Sequence, residues 1–130
     1  MSQGLSIRRE VEPATDRAAR AVPIDHAFLS RYTFGNRELE CEVLVLFADQ
    51  APDYLENLRC AETEKAWRDA AHTIKGSARA VGAHEVAERA ELAETLARSC
   101  DEEARRNAIA RLETALGEVR RYISTLSVPA

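Results

Sequence analysis

The sequence predicts an all-α fold, an antiparallel four-helix bundle with a short additional N-terminal helix. Three observations carry that prediction. Four long stretches place their apolar residues at helical spacing. The segments between them are short and hold residues that cap or break helices. The 130 residues include only 5 glycines and 4 prolines, with 45% hydrophobic and 31% charged residues, which suits a soluble, largely helical chain. The length fits one domain with enough chain for a real core.

Residues 1–22 read as a poorly ordered N-terminal tail. Arg8, Arg9, Glu10, Glu12, Asp16, Arg17 and Arg20 mix both charges around Pro13, and too few apolar residues remain to build a packing face. A helical turn around Ala14 to Val22 is the most structure expected there. The bundle domain spans residues 23–127. Its short leading helix starts at Asp25, a capping residue, and runs through Tyr32 with Phe28, Leu29 and Tyr32 inward. Gly35-Asn36 breaks it, and Asn36 can cap the next helix, which runs from Arg37 to Cys60. Within that stretch Val43-Leu44-Val45-Leu46-Phe47 could pass for a buried strand. The wider set Leu39, Val43, Leu46, Phe47, Tyr54, Leu55 and Leu58 has a helical period instead. Pro52 lacks the N–H that would bond to Ala48, so a kink is expected.

The central helix runs from about Thr63, its cap, to Val81, where Gly82 ends it. At about 100° per residue, Trp67, Ala70, Ala71, Ile74, Ala78 and Val81 share one arc of roughly 100°, a core-facing stripe. The next helix extends from about Ala83 to Ser99 with Val86, Ala90, Ala93, Leu96 and Ala97 inward. Asp101, Glu102 and Glu103 suit the dipole at the start of the last helix. Its stripe is Ala108, Ile109, Leu112, Leu116, Val119, Ile123 and Leu126.

Several function classes are disfavoured. The net charge of −4, with no basic stripe longer than one helix face, argues against nucleic-acid binding. No apolar run approaches 18 residues and no signal peptide is evident, so no membrane role and a cytoplasmic location are expected. Cys41, Cys60 and Cys100 form no Cys-x-x-Cys pair and read as buried or half-buried free thiols. There is no Gly-rich phosphate loop, no His-Glu-x-x-His and no recognisable Ser/His/Asp set. His26 and His84 sit near helix starts and read as solvated.

One histidine stands apart. His72 lies about 140° round the wheel from Trp67, on the polar face, among Lys65, Arg68, Lys75 and Arg79. Gly76, one turn on, occupies a helix-interior position where glycine costs about 1 kcal/mol relative to alanine. A close helix–helix contact would account for it, and so would a need for space beside the imidazole. Cations around His72, with only Glu94 as a neighbouring carboxylate, disfavour a metal ion. The same surroundings suit an anion, since neutral imidazole is a nucleophile near pH 7 and Lys75 could offset the charge of a phosphoryl group on it. From the residues alone, a solvated face with an incidental histidine stays open beside that reading.

The run His72-Thr73-Ile74-Lys75-Gly76-Ser77-Ala78, followed by Val81-Gly82-Ala83, resembles the signature of histidine-containing phosphotransfer (HPt) domains, the phosphoryl carriers of two-component phosphorelays. The similarity begins near Ile24-Asp25, takes in Leu39, Phe47, Pro52, Leu55 and Leu58, and continues through Leu92-Ala93-Glu94. The resemblance implies that His72 accepts the phosphoryl group, that Lys75 lies beside it and that Gly76 admits the partner's active site. It further implies that Glu94, 22 positions after the histidine, accepts a hydrogen bond from Nδ1–H so that Nε2 is the nucleophile. A plain surface glutamate pairing with Arg98 is the alternative for Glu94. The stretch Arg89-Ala90-Glu91 departs from the more apolar pattern of many members, which bears on the rim of the site and on partner choice.

The partners so implied are response-regulator receiver domains and a sensor or hybrid histidine kinase. Lys65, Arg68 and Arg79 would face a receiver's acidic pocket, and magnesium would be held there rather than in this chain. The chain would be a free-standing, monomeric carrier and not an enzyme, since nothing in it resembles a nucleotide-binding domain. A non-phosphorylated adaptor binding a signalling partner through the His72 face is the rival reading.

Overall fold

The computed structural model describes residues 22–126. These form five helices and no strand: α1 (His26–Thr33), α2 (Arg37–Arg59), α3 (Glu64–Ala80), α4 (His84–Glu94) and α5 (Glu102–Leu126). The tail read at residues 1–22 and its turn around Ala14 lie, Val22 apart, outside the described residues.

Each boundary has a local cause. Asp25 Oδ1 accepts from the Phe28 N–H at 3.0 Å, Asn36 from Leu39 and Thr63 from Ala66, so the three capping residues each satisfy an orphan donor. Asp101 does the same for Ala104 at the start of α5. The end of α3 is a Schellman turn: Ala83 N–H reaches Ala78 C=O at 2.8 Å and Gly82 N–H reaches Arg79 C=O at 3.2 Å. Gly82 sits at φ +79°, and a Cβ there would stand 2.8 Å from the Asp25 carbonyl, so both conformation and space require glycine. α2 continues unbroken across Pro52.

Helices α2 to α5 close a ring in which α2 packs on α3, α3 on α4, α4 on α5 and α5 back on α2. Short connections make sequential neighbours antiparallel, as expected for a four-helix bundle. α1 lies against α2. Leu44, Leu58, Ile74, Val86, Leu112, Leu116 and Val119 are fully buried at the centre. α3 and α4 pack most extensively, and their buried faces are rich in Ala71, Ala78, Ala87, Ala90 and Ala93, whose small side chains permit close approach. Trp67 bridges this seam: its Nε1–H donates to Ala93 C=O at 2.7 Å, and the Arg105 guanidinium lies 4.6 Å above its ring. Arg105 also donates to the carbonyls of Leu96 and Ala97, closing the α4–α5 turn.

The stripes differ from expectation in particular places. Tyr32 points outward, 63% exposed, while Thr33 is buried. The hydroxyl of Thr33 takes up Leu29 C=O and the carboxylate of Glu40, which also accepts from Ser30, so a polar residue fills the inward position one turn after Leu29. On α2, Leu39 and Leu46 face outward, and Leu44 takes the core position with Phe47, Ala51, Leu55 and Leu58. The 44-47-51-55-58 spacing is a cleaner helical stripe, and it includes an alanine. α4 ends at Glu94, and residues 95–98 form turns rather than a helix reaching Ser99. Cys41 is half-buried but Cys60 and Cys100 are exposed, and all three are free thiols.

Candidate functional site

The polar face of α3 follows from the burial of its opposite face. With Trp67, Ala71, Ile74 and Ala78 in the core, the 3.6-residue repeat carries His72 to the outside near the α4 seam. The His72 side chain is 67% exposed, and its Nδ1 lies 3.3 Å from Glu94 Oε2. Glu94 Oε1 accepts from Lys75 Nζ at 2.6 Å, the shorter and stronger of the two contacts. Lys75 is 14% exposed and Glu94 22%, so this pair is largely shielded from water while the histidine beside it is open. The Lys75 ammonium holds the Glu94 carboxyl below its ordinary pKa, with His72 adding in the same direction and burial opposing. Glu94 is therefore ionised near neutrality and can only accept hydrogen bonds. In neutral imidazole the proton then belongs on Nδ1 and the lone pair on Nε2.

Glu94 is brought to this position by the α3–α4 packing, and its alternative partner is engaged elsewhere. Arg98 lies beyond the end of α4 and pairs with Glu64 at 3.2 Å. Gly76 meets nothing within 4 Å where a Cβ would stand. Of the two explanations for this glycine, a close helix contact is thereby removed, and open space beside the imidazole is what the fold provides.

The cations of this face are arranged differently from a bare basic rim. Lys65 pairs with Asp69 at 2.6 Å, Arg68 with Glu64 at 2.5 Å and Arg79 with Glu91 at 3.5 Å. Each cation thus carries a carboxylate beside it, and the face presents alternating charge around His72 rather than a uniform positive field. The sequence reading overlooked these partners, although Glu64 and Asp69 stand at the i,i+4 spacing on the same helix that makes such pairs legible; the Arg79–Glu91 pair forms only across the α3–α4 seam. Glu91 stood in the departing stretch Arg89-Ala90-Glu91. Also overlooked was the link on the other flank of α3, where Tyr54 of α2 hydrogen-bonds Ser77 at 3.0 Å and Gln50 at 2.6 Å. The serine of the motif thereby ties α3 to α2.

The remaining histidines are partnered. His26 Nε2 is 2.6 Å from the Tyr122 hydroxyl and His84 Nε2 is 2.9 Å from Asp25 Oδ2. No group of three or more metal-ligating side chains occurs among the described residues, and none of their helices is long and apolar enough to cross a membrane.

Comparison with known proteins meets this geometry from outside. No curated protein matches the chain in sequence. The fold is similar to an X-ray structure from rice of a protein assigned as a histidine-containing phosphotransfer protein. That similarity has a TM-score of 0.73 at 16% identity and covers 94% of this chain and 91% of the rice chain. The family profile of the Hpt domain matches residues 42–122, well over half of the chain and the whole of the α3–α4 seam. The chain belongs to the Hpt domain family, the histidine phosphotransfer domains of phosphorelays.

Proposed function

We propose that His72 is the phospho-accepting residue and that Nε2 is the atom that carries the phosphoryl group. The observation that carries this reading is the division of labour on the ring: Nδ1 rests against a Lys75-held Glu94, while Nε2 of this exposed side chain has no partner among the described residues and Gly76, one turn on, leaves open space. A receiver domain presents an aspartyl phosphate with its magnesium ion. The Nε2 lone pair attacks phosphorus in line, the N–P bond forms, and the P–O bond to aspartate breaks with its electron pair leaving on the carboxylate. Substitution at Nε2 leaves the ring cationic, with its proton still on Nδ1, and the Glu94 carboxylate offsets that charge. Lys75 has three donors and one is used by Glu94, so the others can meet a phosphoryl oxygen. Gly76 leaves room for the receiver's loops to close on the histidine. The reverse sequence delivers the group to a second receiver's aspartate.

In this reading the protein is a carrier with a positioned nucleophile, and the receiver supplies metal and most of the catalysis. Donors are a receiver domain or a sensor or hybrid histidine kinase, and the acceptor is a response regulator. Lys65, Arg68 and Arg79 contribute to receiver docking as members of ion pairs, exchanging or sharing their carboxylate partners at the interface. Charge then selects partners more than it supplies affinity.

The test is phosphoryl transfer in a mixture of this protein, a phosphorylated receiver domain and magnesium, with His72→Gln alongside. The expected result is an acid-labile, base-stable phosphate on the wild type alone, and no labelling by ATP without a kinase. Equal labelling of His72→Gln would remove the assignment.

A further inference from the structure

The carboxylate that meets His72 belongs to the last residue of α4, where a helix is least constrained by its own hydrogen bonds. Around that end most carbonyls are taken locally: Thr95 N–H reaches Glu91 C=O, Thr95 Oγ1 donates to Leu92 C=O and Ala97 N–H reaches Glu94 C=O. Ala93 C=O differs, accepting from Leu96 N–H at 2.9 Å and also from Trp67 Nε1–H at 2.7 Å. That carbonyl is part of the planar peptide unit that leads into the Cα of Glu94. Leu96 already satisfies it. What the indole adds is a bond to α3, the helix that carries His72 and Lys75.

Trp67 is in turn held from α5. The Arg105 guanidinium lies 4.6 Å above its ring and donates to Ala97 C=O at 2.7 Å and to Leu96 C=O at 3.2 Å. The indole is buried, so no water stands ready to replace the bond it makes. One continuous set of contacts therefore runs from Arg105 through Trp67 to the Ala93–Glu94 peptide, and ends at the carboxylate 3.3 Å from His72 Nδ1.

We propose that Trp67 and Arg105 are positioning residues: the indole N–H, backed by the guanidinium, fixes the end of α4 so that Glu94 stays on Nδ1 of His72. The inference rests on the reading of His72 as the phospho-acceptor and of Glu94 as the group that holds its ring.

The test uses the full chain and three variants. Trp67→Phe keeps an aromatic ring in the core and removes the donor. Arg105→Lys keeps the charge and removes the planar stack. Ile123→Val, at a buried site about 27 Å along α5 from Arg105, controls for lost packing alone. Imidazole nitrogen chemical shifts report which nitrogen of neutral His72 bears the proton. The proton is expected on Nδ1 in wild type and control, and shifted toward Nε2 in both Trp67→Phe and Arg105→Lys. Transfer from a phosphorylated receiver should slow roughly threefold to tenfold in Trp67→Phe. Trp67→Phe/Glu94→Gln should be no slower than Glu94→Gln, because the indole acts only through that carboxylate. An unchanged proton position in either folded variant, the same change in Ile123→Val, or fully multiplicative slowing in the double variant would overturn the proposal. A wild type that accepts no phosphoryl group would instead overturn the function proposed for His72, and the nitrogen shifts would still decide the role of Trp67.

Discussion

At the end of the bundle where α1 begins, His84 Nε2 lies 2.9 Å from Asp25 Oδ2, and His26 Nε2 lies 2.6 Å from the Tyr122 hydroxyl. At mid-bundle, His72 has its contact at Nδ1, 3.3 Å from Glu94, and Nε2 engages nothing among the described residues. The first two imidazoles use Nε2 to join elements: Asp25, also the cap of α1 and bonded through its N–H to Gly82 C=O, is where α1 meets the α3–α4 turn. The third uses its other nitrogen to be held and leaves Nε2 available. The same residue type is structural or reactive according to which ring atom the fold consumes. Glycine divides in the same way, since Gly82 is enclosed and Gly76 is open.

Removing the reactive member should separate function from stability most sharply. His72→Gln is expected to lose all phosphate labelling while chemical unfolding shifts by no more than about 0.5 kcal/mol, the range for a surface substitution. His84→Ala should do the reverse, labelling normally but unfolding at lower denaturant because Asp25 loses its partner. Labelling of His72→Gln, or loss of labelling in a folded His84→Ala protein, would erase the distinction.

The two glycines extend the contrast. Gly82→Ala forces a left-handed backbone on a residue with a Cβ and sets that atom against Asp25, for a loss of roughly 2 kcal/mol or more. Gly76→Ala fills open space and should add about 0.5–1 kcal/mol from helix propensity, read in urea unfolding. A larger side chain at Gly76, such as glutamine, should slow transfer from a receiver without lowering stability.

Within the site, Glu94→Gln removes the negative charge that faces the imidazole. Transfer is expected to slow about tenfold, equivalent to about 1.4 kcal/mol of barrier. Lys75→Met should slow it too, and should also bring the Glu94 carboxyl back up toward its ordinary pKa, which carboxyl NMR titration would register.

The smallest effect is on stability against pH. Because the folded pKa of Glu94 is depressed, chiefly by Lys75, its contribution is complete above the ordinary glutamate value of about 4.3 and is lost as pH falls through the folded value. Wild type and Glu94→Gln should therefore differ most near neutrality and converge in acid. A constant gap down to the lowest folded pH would show that the Lys75 pairing does not act through ionisation.

The helices, their caps and the exposed position of His72 were legible in the chain because all three depend on neighbours within a few residues. Asp25, Asn36, Thr63 and Asp101 cap through bonds three residues long, and the α3 stripe repeats every turn. The stripe of α2 was partly misread because Leu39 and Leu46 have the composition of core residues. Only the positions of α3 and α5 decide which side of α2 is inside. Tyr32 and Thr33 exchanged places for a similar reason, since Glu40 from another helix makes the buried hydroxyl acceptable.

By itself, then, the sequence determined what recurs at helical spacing: five helices, their termini apart from the end of α4, and an imidazole with a glycine one turn on. The tertiary structure alone decided which atoms meet. It brought Lys75 onto Glu94, sent Arg98 to Glu64 instead, set Glu91 beside Arg79 and enclosed Gly82 while leaving Gly76 open. Local pattern sets the direction a side chain leaves its helix, whereas its partner depends on the distance and rotation of the next helix, which here is set by the close alanine packing of α3 on α4.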